Sequence, residues 1–133
     1  MYLLDTNVIS ETRRPRPHRG VIAWLLSVAA EQIFLSAVTL GELQIGVEKL
    51  RQQDTARAEI IEKWVDSVAG SYNVLPMDRR AFRRWAQLMR GQPSDLVADA
   101  MIAATALVHG LTIVTRNVRD FERLGLSPID PFL

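Results

Sequence analysis

The sequence predicts an α/β domain in which helices flank a central parallel sheet. Short apolar runs of strand length alternate with longer stretches that carry apolar residues at helical spacing. Such alternation is typical of right-handed β-α-β crossovers, which place successive strands parallel in one sheet. The length of 133 residues fits one domain, and no repeat, low-complexity tract or linker divides the chain. We therefore expect residues 1–133 to fold as one unit.

The first half of the chain has the patterns of two strands and four helices. Asp54 is a favoured N-cap, and Gly70 is expected to end the helix that Asp54 begins. The last two helices of this half should form an αα-hairpin that projects from the sheet toward a partner or substrate. The predicted elements are a strand over Tyr2–Asp5, helices over Asn7–Glu11 and Val21–Ala30, a strand over Ile33–Ser36, and helices over Thr39–Gln52 and Thr55–Val68.

The second half continues the alternation. Asp78 is expected to cap one helix, and Gly110 is expected to end another that is rich in small apolar residues. The predicted elements are a strand over Val74–Leu75, a helix from Asp78 to Leu88, a loop over Gly91–Ser94, a helix from Ser94 or Asp95 to His109, a strand over Thr112–Thr115, a helix over Val118–Leu124 and an edge strand at Pro128–Ile129.

The composition limits the kinds of site that the chain can build. The absence of Cys excludes disulfides and thiolate zinc sites, and only two His residues are present, so oxygen ligands remain. No apolar run approaches the ~20 residues of a membrane helix, and the first residues lack a basic signal-peptide region. We therefore expect a cytoplasmic protein with no membrane association.

Acidic and amide side chains stand where predicted strands end or helices begin. Asp5 closes the first strand, Glu42 follows the second, Asp99 opens the small-residue helix, and Asn117 and Asp120 follow the last long strand. The carboxyl ends of parallel strands converge on one crevice. Carboxylates gathered there repel one another unless a hard cation lies between them. The pattern therefore predicts a magnesium-type site.

Each of these residues also has a purely structural explanation. Asp5 suits the N-cap of the first helix, and Thr39–Glu42 matches a capping box. Asp99 suits the positive end of its helix, while Asn117 and Asp120 suit a cap and its third-position partner. Their joint placement on one side of the sheet favours a site.

Arginine greatly outnumbers lysine, although the net charge is only +1. Arginine suits bidentate phosphate contact. Arg13, Arg14 and Arg16 lie in a proline-broken loop soon after Asp5, where phosphate contact and a solvated loop are both open explanations. Arg116 is a further candidate for phosphate contact. The second cluster, Arg79–Arg84, is expected to be a solvated helix face.

Four segments together resemble the PIN-domain ribonucleases that act as toxins beside an antitoxin, of the VapC or FitB type. The resemblance covers essentially the whole chain and is specific in combination. The segments that carry it are Leu3–Glu11, Leu35–Leu43 with Gly46, Ala98–Ala106 and Thr115–Phe121.

The resemblance implies that Asp5, Glu42 and Asp99 hold Mg²⁺ or Mn²⁺, which activates water for hydrolysis of RNA phosphodiesters. Asn117 stands where some relatives carry a fourth acid, and Asp120 matches the acid common in others. We expect Asp120 to serve as the fourth acid of the site, and Asn117 to orient the groups around it. Glu42 and Asp120 would act directly or through water.

The resemblance also implies supporting residues and partners. Thr6, Asn7 and Thr115 would orient the acids. The family implies a homodimer, a cognate antitoxin and a possible higher toxin–antitoxin assembly. The antitoxin tail would bring a basic side chain toward the acids. The αα-hairpin and the helix over Val21–Ala30 are the candidate antitoxin surfaces.

Two other classes of function stay open. Aspartyl-phosphate chemistry of the dehalogenase-type phosphatases needs a second acid two residues after Asp5, where this chain has Asn7. Aspartyl-phosphate chemistry of the receiver-domain type needs a Lys directly after a late strand. Neither Lys49 nor Lys63 lies in such a position. A non-catalytic binding module for nucleic acid or protein would keep the acids only as helix caps, and Asn117 is the residue that favours it.

Overall fold

A computed structural model describes all of residues 1–133 and confirms the parallel α/β architecture. Four strands form one parallel sheet in the order β3-β2-β1-β4, so the first strand lies in the centre. Leu3 pairs with Phe34 on one side and Ile113 on the other. A further parallel bridge joins Val114 to Ile129, where an edge strand was predicted. The strands are β1 (Tyr2–Leu4), β2 (Ile33–Ser36), β3 (Asn73–Leu75) and β4 (Thr112–Val114).

Seven α-helices surround the sheet, and their order matches the predicted alternation. Gly110 ends the sixth helix with φ of 66°, a left-handed conformation that favours glycine. No helix is both long enough and apolar enough to cross a membrane. The helices are α1 (Thr6–Glu11), α2 (Arg19–Leu26), α3 (Ala37–Arg51), α4 (Thr55–Ser71), α5 (Arg79–Met89), α6 (Val97–His109) and α7 (Val118–Arg123), with 3₁₀ turns at Ala30–Gln32 and Ser94–Leu96.

Several predicted helix ends were wrong. Helix α2 begins earlier, because the His18 ring accepts a hydrogen bond from the Gly20 amide at 3.0 Å. It also ends at Leu26 rather than Ala30, since Ser27 closes it. Gly70 lies inside α4 and does not end it. A 3₁₀ turn precedes α6, so that helix begins at Val97.

The core has two halves because neighbouring strand residues point to opposite faces of the sheet. Leu3 packs with Ala103 of α6 on one face, whereas Leu4 packs with Val8 and Val21 on the other. The αα-hairpin of α3 and α4 was predicted correctly, and a small cluster of its own joins the two helices. Helices therefore cover both faces, and the carboxyl edge of the sheet is left for polar side chains.

Candidate active site

Four carboxylates lie close enough to influence one another at the carboxyl edge of the sheet. Asp5 follows β1, Glu42 lies in the second turn of α3, Asp99 in the first turn of α6, and Asp120 in the first turn of α7. Repulsion from Glu42 and Asp120 contributes to a raised pKa at Asp5. The structure thus places the four acids near enough to repel one another, but no three of them converge on one point.

Asp5 is the most enclosed of the four, with 3% of its surface exposed. One carboxylate oxygen accepts a hydrogen bond from the Thr6 amide at 2.8 Å. The other accepts from the Thr115 hydroxyl at 2.8 Å and the Asn7 side-chain amide at 3.3 Å. Burial raises the pKa of Asp5, and the bonds from Thr115 and Thr6 oppose that rise. Asp5 is therefore both the N-cap of α1 and a fixed, partly desolvated acid.

Thr115 and Asn7 tie the loop after β4 to the centre of the site. The buried Thr115 hydroxyl donates to Asp5, so its lone pairs can accept from the Asn117 backbone amide at 2.9 Å. The Asn7 side-chain oxygen accepts from the Arg116 amide at 3.2 Å. These bonds hold the β1 and β4 ends in one geometry, which suits the supporting role expected of both residues.

Thr6 reaches across to α3. Its hydroxyl donates to a Glu42 carboxylate oxygen at 2.6 Å and lies 3.1 Å from the buried Thr39 hydroxyl. The predicted capping box of Thr39 and Glu42 was wrong, because Ser36 caps α3 by accepting from the Val38 amide. Ser36 is a favoured cap residue directly after a strand, and that signal could have placed the helix start correctly.

Asp99 carries the clearest electrostatic signature in the site. Its pKa is raised to about 7, first by burial and then by repulsion from Asp5, Asp120 and Glu42, with Asp95 last. No cation counts among these causes, and none of the four acids takes part in the protein's ion pairs. The site acids therefore repel one another, and no ion pair within the chain offsets that repulsion.

Asn117 occupies the N-cap position of α7, but its side chain makes no capping bond. The cap explanation is therefore wrong for the side chain of Asn117. Neighbouring Arg116 is exposed, and its guanidinium lies 4.2 Å from the centre of the Phe132 ring. Asp120 is half-buried and lines a small groove together with Asn117 and Arg116.

The arginine loop lies on the surface next to α1. Arg13, Arg14 and Arg16 are all exposed. Arg13 lies over the Trp64 ring, with 5.8 Å from its guanidinium carbon to the ring centre. Buried Glu11 anchors the loop by accepting from the His18 amide at 3.0 Å, and it pairs with Arg14 at 3.6 Å.

The second arginine cluster, Arg79–Arg84, is exposed and forms no ion pair, as a solvated helix face would. Three of its members line a separate groove whose lining includes none of the four acids. The structure therefore gives this cluster no connection to the candidate site.

The donor set fits a hydrated Mg²⁺ or Mn²⁺ better than an ion that needs a complete protein cage. No three acidic or His side chains converge as a ready-made ligand group. Mg²⁺ keeps several of its waters and is usually held by one or two carboxylates. Asp5 and Asp99 offer such carboxylates, and the unneutralised charge around them favours a cation. Oxygen donors alone also suit these hard ions rather than zinc.

Comparisons with known proteins identify the family and the fold. The family model described as PIN domain matches residues 2–126. The chain is 37% identical to VapC ribonuclease Y4jK of Sinorhizobium fredii, and the match covers 99% of this chain and 98% of the relative. It superposes on the crystal structure of FitAcB from Neisseria gonorrhoeae with a TM-score of 0.87 and 35% identity, covering 99% of both chains. A toxin-antitoxin complex from Klebsiella pneumoniae gives a TM-score of 0.67 at 25% identity, covering 91% of this chain and 90% of the other.

Proposed function

The chain belongs to the PIN-domain family, and we propose that it is a Mg²⁺- or Mn²⁺-dependent endoribonuclease, the toxin of a toxin–antitoxin pair. The relative in Sinorhizobium fredii is named a ribonuclease, and the structure from Klebsiella pneumoniae is a toxin-antitoxin complex. The observation that carries the proposal is the pair Asp5 and Asp99, whose pKa values are raised by burial and then by repulsion from nearby acids, while no ion pair of the protein includes either of them. Burying carboxylates that repel one another costs free energy of folding, and a bound cation would offset that cost.

Asp5 and Asp99 would hold the metal, with Glu42 and Asp120 binding directly or through water. The chemistry supplied by bound Mg²⁺ is a water of lowered pKa and shielding of charge at the phosphodiester. Thr115 and Asn7 keep the Asp5 carboxylate in one orientation through their hydrogen bonds.

Thr6 does the same for Glu42 with its 2.6 Å hydrogen bond. Acids that are already held in position need no reorganisation during the reaction, so no free energy is lost in moving them. The exposed arginines of the loop, Arg13, Arg14 and Arg16, with Arg116 beside the site, would contact RNA phosphates.

The proposal includes three kinds of partner. RNA is the substrate, a cognate antitoxin is the inhibitor, and a second copy of the chain completes a homodimer, from which higher toxin–antitoxin assemblies would form. A basic antitoxin side chain near the acids would find the same unneutralised charge that attracts a metal. Inhibition and metal binding would then compete.

The structure weakens the alternative of a non-catalytic module whose acids serve only as helix caps. Ser36 caps α3, and the N-termini of α6 and α7 have no side-chain cap. Capping by the side chain is therefore seen for Asp5 alone among the four acids. Asp99 and Asp120 lie in the first turns of α6 and α7, where the helix dipole favours an acid, but Glu42 in the second turn of α3 has neither explanation.

The decisive experiment is cleavage of a mixed pool of transfer RNA and ribosomal RNA by the purified protein. Discrete fragments should appear with Mg²⁺ or Mn²⁺ and should disappear with chelator or with Asp99→Asn. The matched control is Asp95→Asn, which removes an exposed acid from the turn just before α6. Cleavage by Asp99→Asn at the parent rate would refute the assignment of Asp99 as a metal ligand.

A further inference from the structure

A cleft of about 350 Å³ opens beside the proposed catalytic acids. Thr6 and Glu42 form one end, so the cleft is continuous with the site. Arg13 and the half-buried Trp64 ring line the cleft together with apolar residues of α3 and α4. We call it the Trp64 cleft. Its volume lies at the lower end of the range for small-molecule pockets, roughly 300–1,000 Å³, which suits a single nucleoside.

Two arginines line the Trp64 cleft without an ion-pair partner. Arg13 lies over the Trp64 ring, and Arg57 of α4 lines the same cleft. Neither side chain takes part in an ion pair, because the protein's three pairs use only Arg14 and Arg51. Neither guanidinium donates a hydrogen bond to another side chain. Arg51 differs, because its guanidinium donates to both Glu48 and Glu62. The cleft therefore offers the Arg13 guanidinium, which lies over the Trp64 ring, and the guanidinium of Arg57, which has no ion-pair partner.

This combination matches a nucleotide. A base is a flat ring that stacks on an aromatic side chain or a guanidinium plane, and its phosphate is an anion that arginine binds. We propose that the Trp64 cleft binds one unpaired nucleobase of the RNA next to the scissile phosphate. Trp64 and Arg13 would hold the base, and Arg57 would contact a neighbouring phosphate. This inference rests on the proposed ribonuclease function and adds to it the residues that would hold one base beside the catalytic acids.

A cycle of changes in both protein and RNA tests the proposal. Hairpin RNAs with randomised loops are offered to the parent protein with Mn²⁺, and the loop cut fastest is synthesised with an abasic nucleotide at each position in turn. Removing the base that enters the cleft should raise KM by about tenfold, as expected for loss of one base stack. Trp64→Leu should cause a similar loss on the intact RNA. The two losses should not add, because both remove the same contact.

Controls separate a lost contact from a lost fold. Trp64→Phe keeps an aromatic plane and should retain most of the affinity. Arg57→Gln should raise KM, whereas Arg84→Gln, which changes an exposed arginine of α5, should not. Additive losses from Trp64→Leu and from every abasic position would overturn the proposal and leave the cleft to a protein segment.

A binding measurement keeps the inference separate from the proposed catalysis. If no RNA is cut, the ribonuclease function fails, yet binding of fluorescent oligo(A) and oligo(U) can still be measured in chelator by anisotropy. Trp64→Leu should weaken that binding by about tenfold if the cleft holds bases. Equal binding by Trp64→Leu and the parent would overturn the base site.

Discussion

Replacing Asp99 with Asn should stabilise the metal-free protein at alkaline pH but not at acidic pH. Burial, and then repulsion from the other site acids, raises the pKa of Asp99 from 3.8 to about 7. A carboxyl with a raised pKa binds more protons in the folded than in the unfolded state between those values. The parent's free energy of unfolding therefore falls as the pH rises from about 4 to about 7, and the penalty is complete above that range.

The size of the effect follows from the pKa. A change from 3.8 to about 7 corresponds to about 4 kcal/mol between the two protonation states. Asp99 is only partly buried, so solvent screening reduces the penalty to about 2 kcal/mol. Asn also loses the favourable interaction of a charged first-turn residue with the dipole of α6, about 0.3–1 kcal/mol. The net gain from Asp99→Asn should be about 1–2 kcal/mol near pH 8 and should vanish near pH 4.

Urea unfolding followed by circular dichroism, in chelator and across this pH range, measures the gain. Asp95→Asn is the matched control, because Asp95 is exposed and contributes least to the pKa of Asp99. Added Mn²⁺ should then stabilise the parent more than Asp99→Asn, since a ligand stabilises only the state that binds it. A gain that is equal at acidic and alkaline pH, or a loss at both, would refute the coupling of these carboxylates.

Three further changes test other parts of the molecule. Thr115→Val removes the hydroxyl that donates to Asp5 and leaves the Asn117 backbone amide without its acceptor. The free energy of unfolding in urea should fall by about 1–3 kcal/mol, and RNA cleavage should slow. Gly20→Ala places a Cβ 2.5 Å from the Pro131 carbonyl oxygen. The free energy of unfolding should fall by about 1–3 kcal/mol, which a lower thermal midpoint would reveal. Arg16→Ala should raise KM for RNA more than it lowers kcat, because an exposed arginine would contribute binding alone.

Each of these changes has a control of the same chemistry. Thr105→Val removes a buried hydroxyl that bonds mainly within its own helix, so it should leave cleavage unchanged. Gly70→Ala meets no atom within 4 Å and should stabilise α4 slightly, in contrast to Gly20→Ala. Arg84→Gln should not alter KM. A loss of activity in Thr105→Val equal to that in Thr115→Val, or an unchanged KM in Arg16→Ala, would contradict the assigned roles.

The order of elements could be predicted because apolar periodicity and turn residues act locally. Ile33–Ser36 and the end of α6 at Gly110 were predicted correctly, since a short apolar run and a left-handed glycine are signals within a few residues. The start of α3 was predicted wrongly because two residues, Ser36 and Thr39, are both favoured caps. The structure uses Ser36, which directly follows the apolar run of β2, so the end of that run was the signal that favoured Ser36 over Thr39.

The neighbourhood of the site was predictable in outline but not in its contacts. The convergence of Asp5 and Asp99 follows from parallel topology alone. The bond from Thr6 to Glu42 joins residues 36 positions apart, and the bond from Thr115 to Asp5 joins residues 110 positions apart. Such contacts depend on strand register and side-chain rotamers, which only the packed structure fixes. Nothing in the sequence indicated a binding role for Trp64, because an aromatic residue at helical spacing predicts core packing.

If the chain is a toxin as proposed, the charge of the site would link its activity to its inhibition. Under the proposed function, Mg²⁺ and a basic antitoxin side chain would both gain free energy from the same repulsion between Asp99 and the acids around it. Because each would neutralise the charge that attracts the other, each must weaken binding of the other by the same factor. A toxin that had satisfied its own acids with an internal arginine would bind neither ion nor inhibitor well. Under the proposed function, the local instability predicted for Asp99 would let one set of carboxylates serve both catalysis and inhibition.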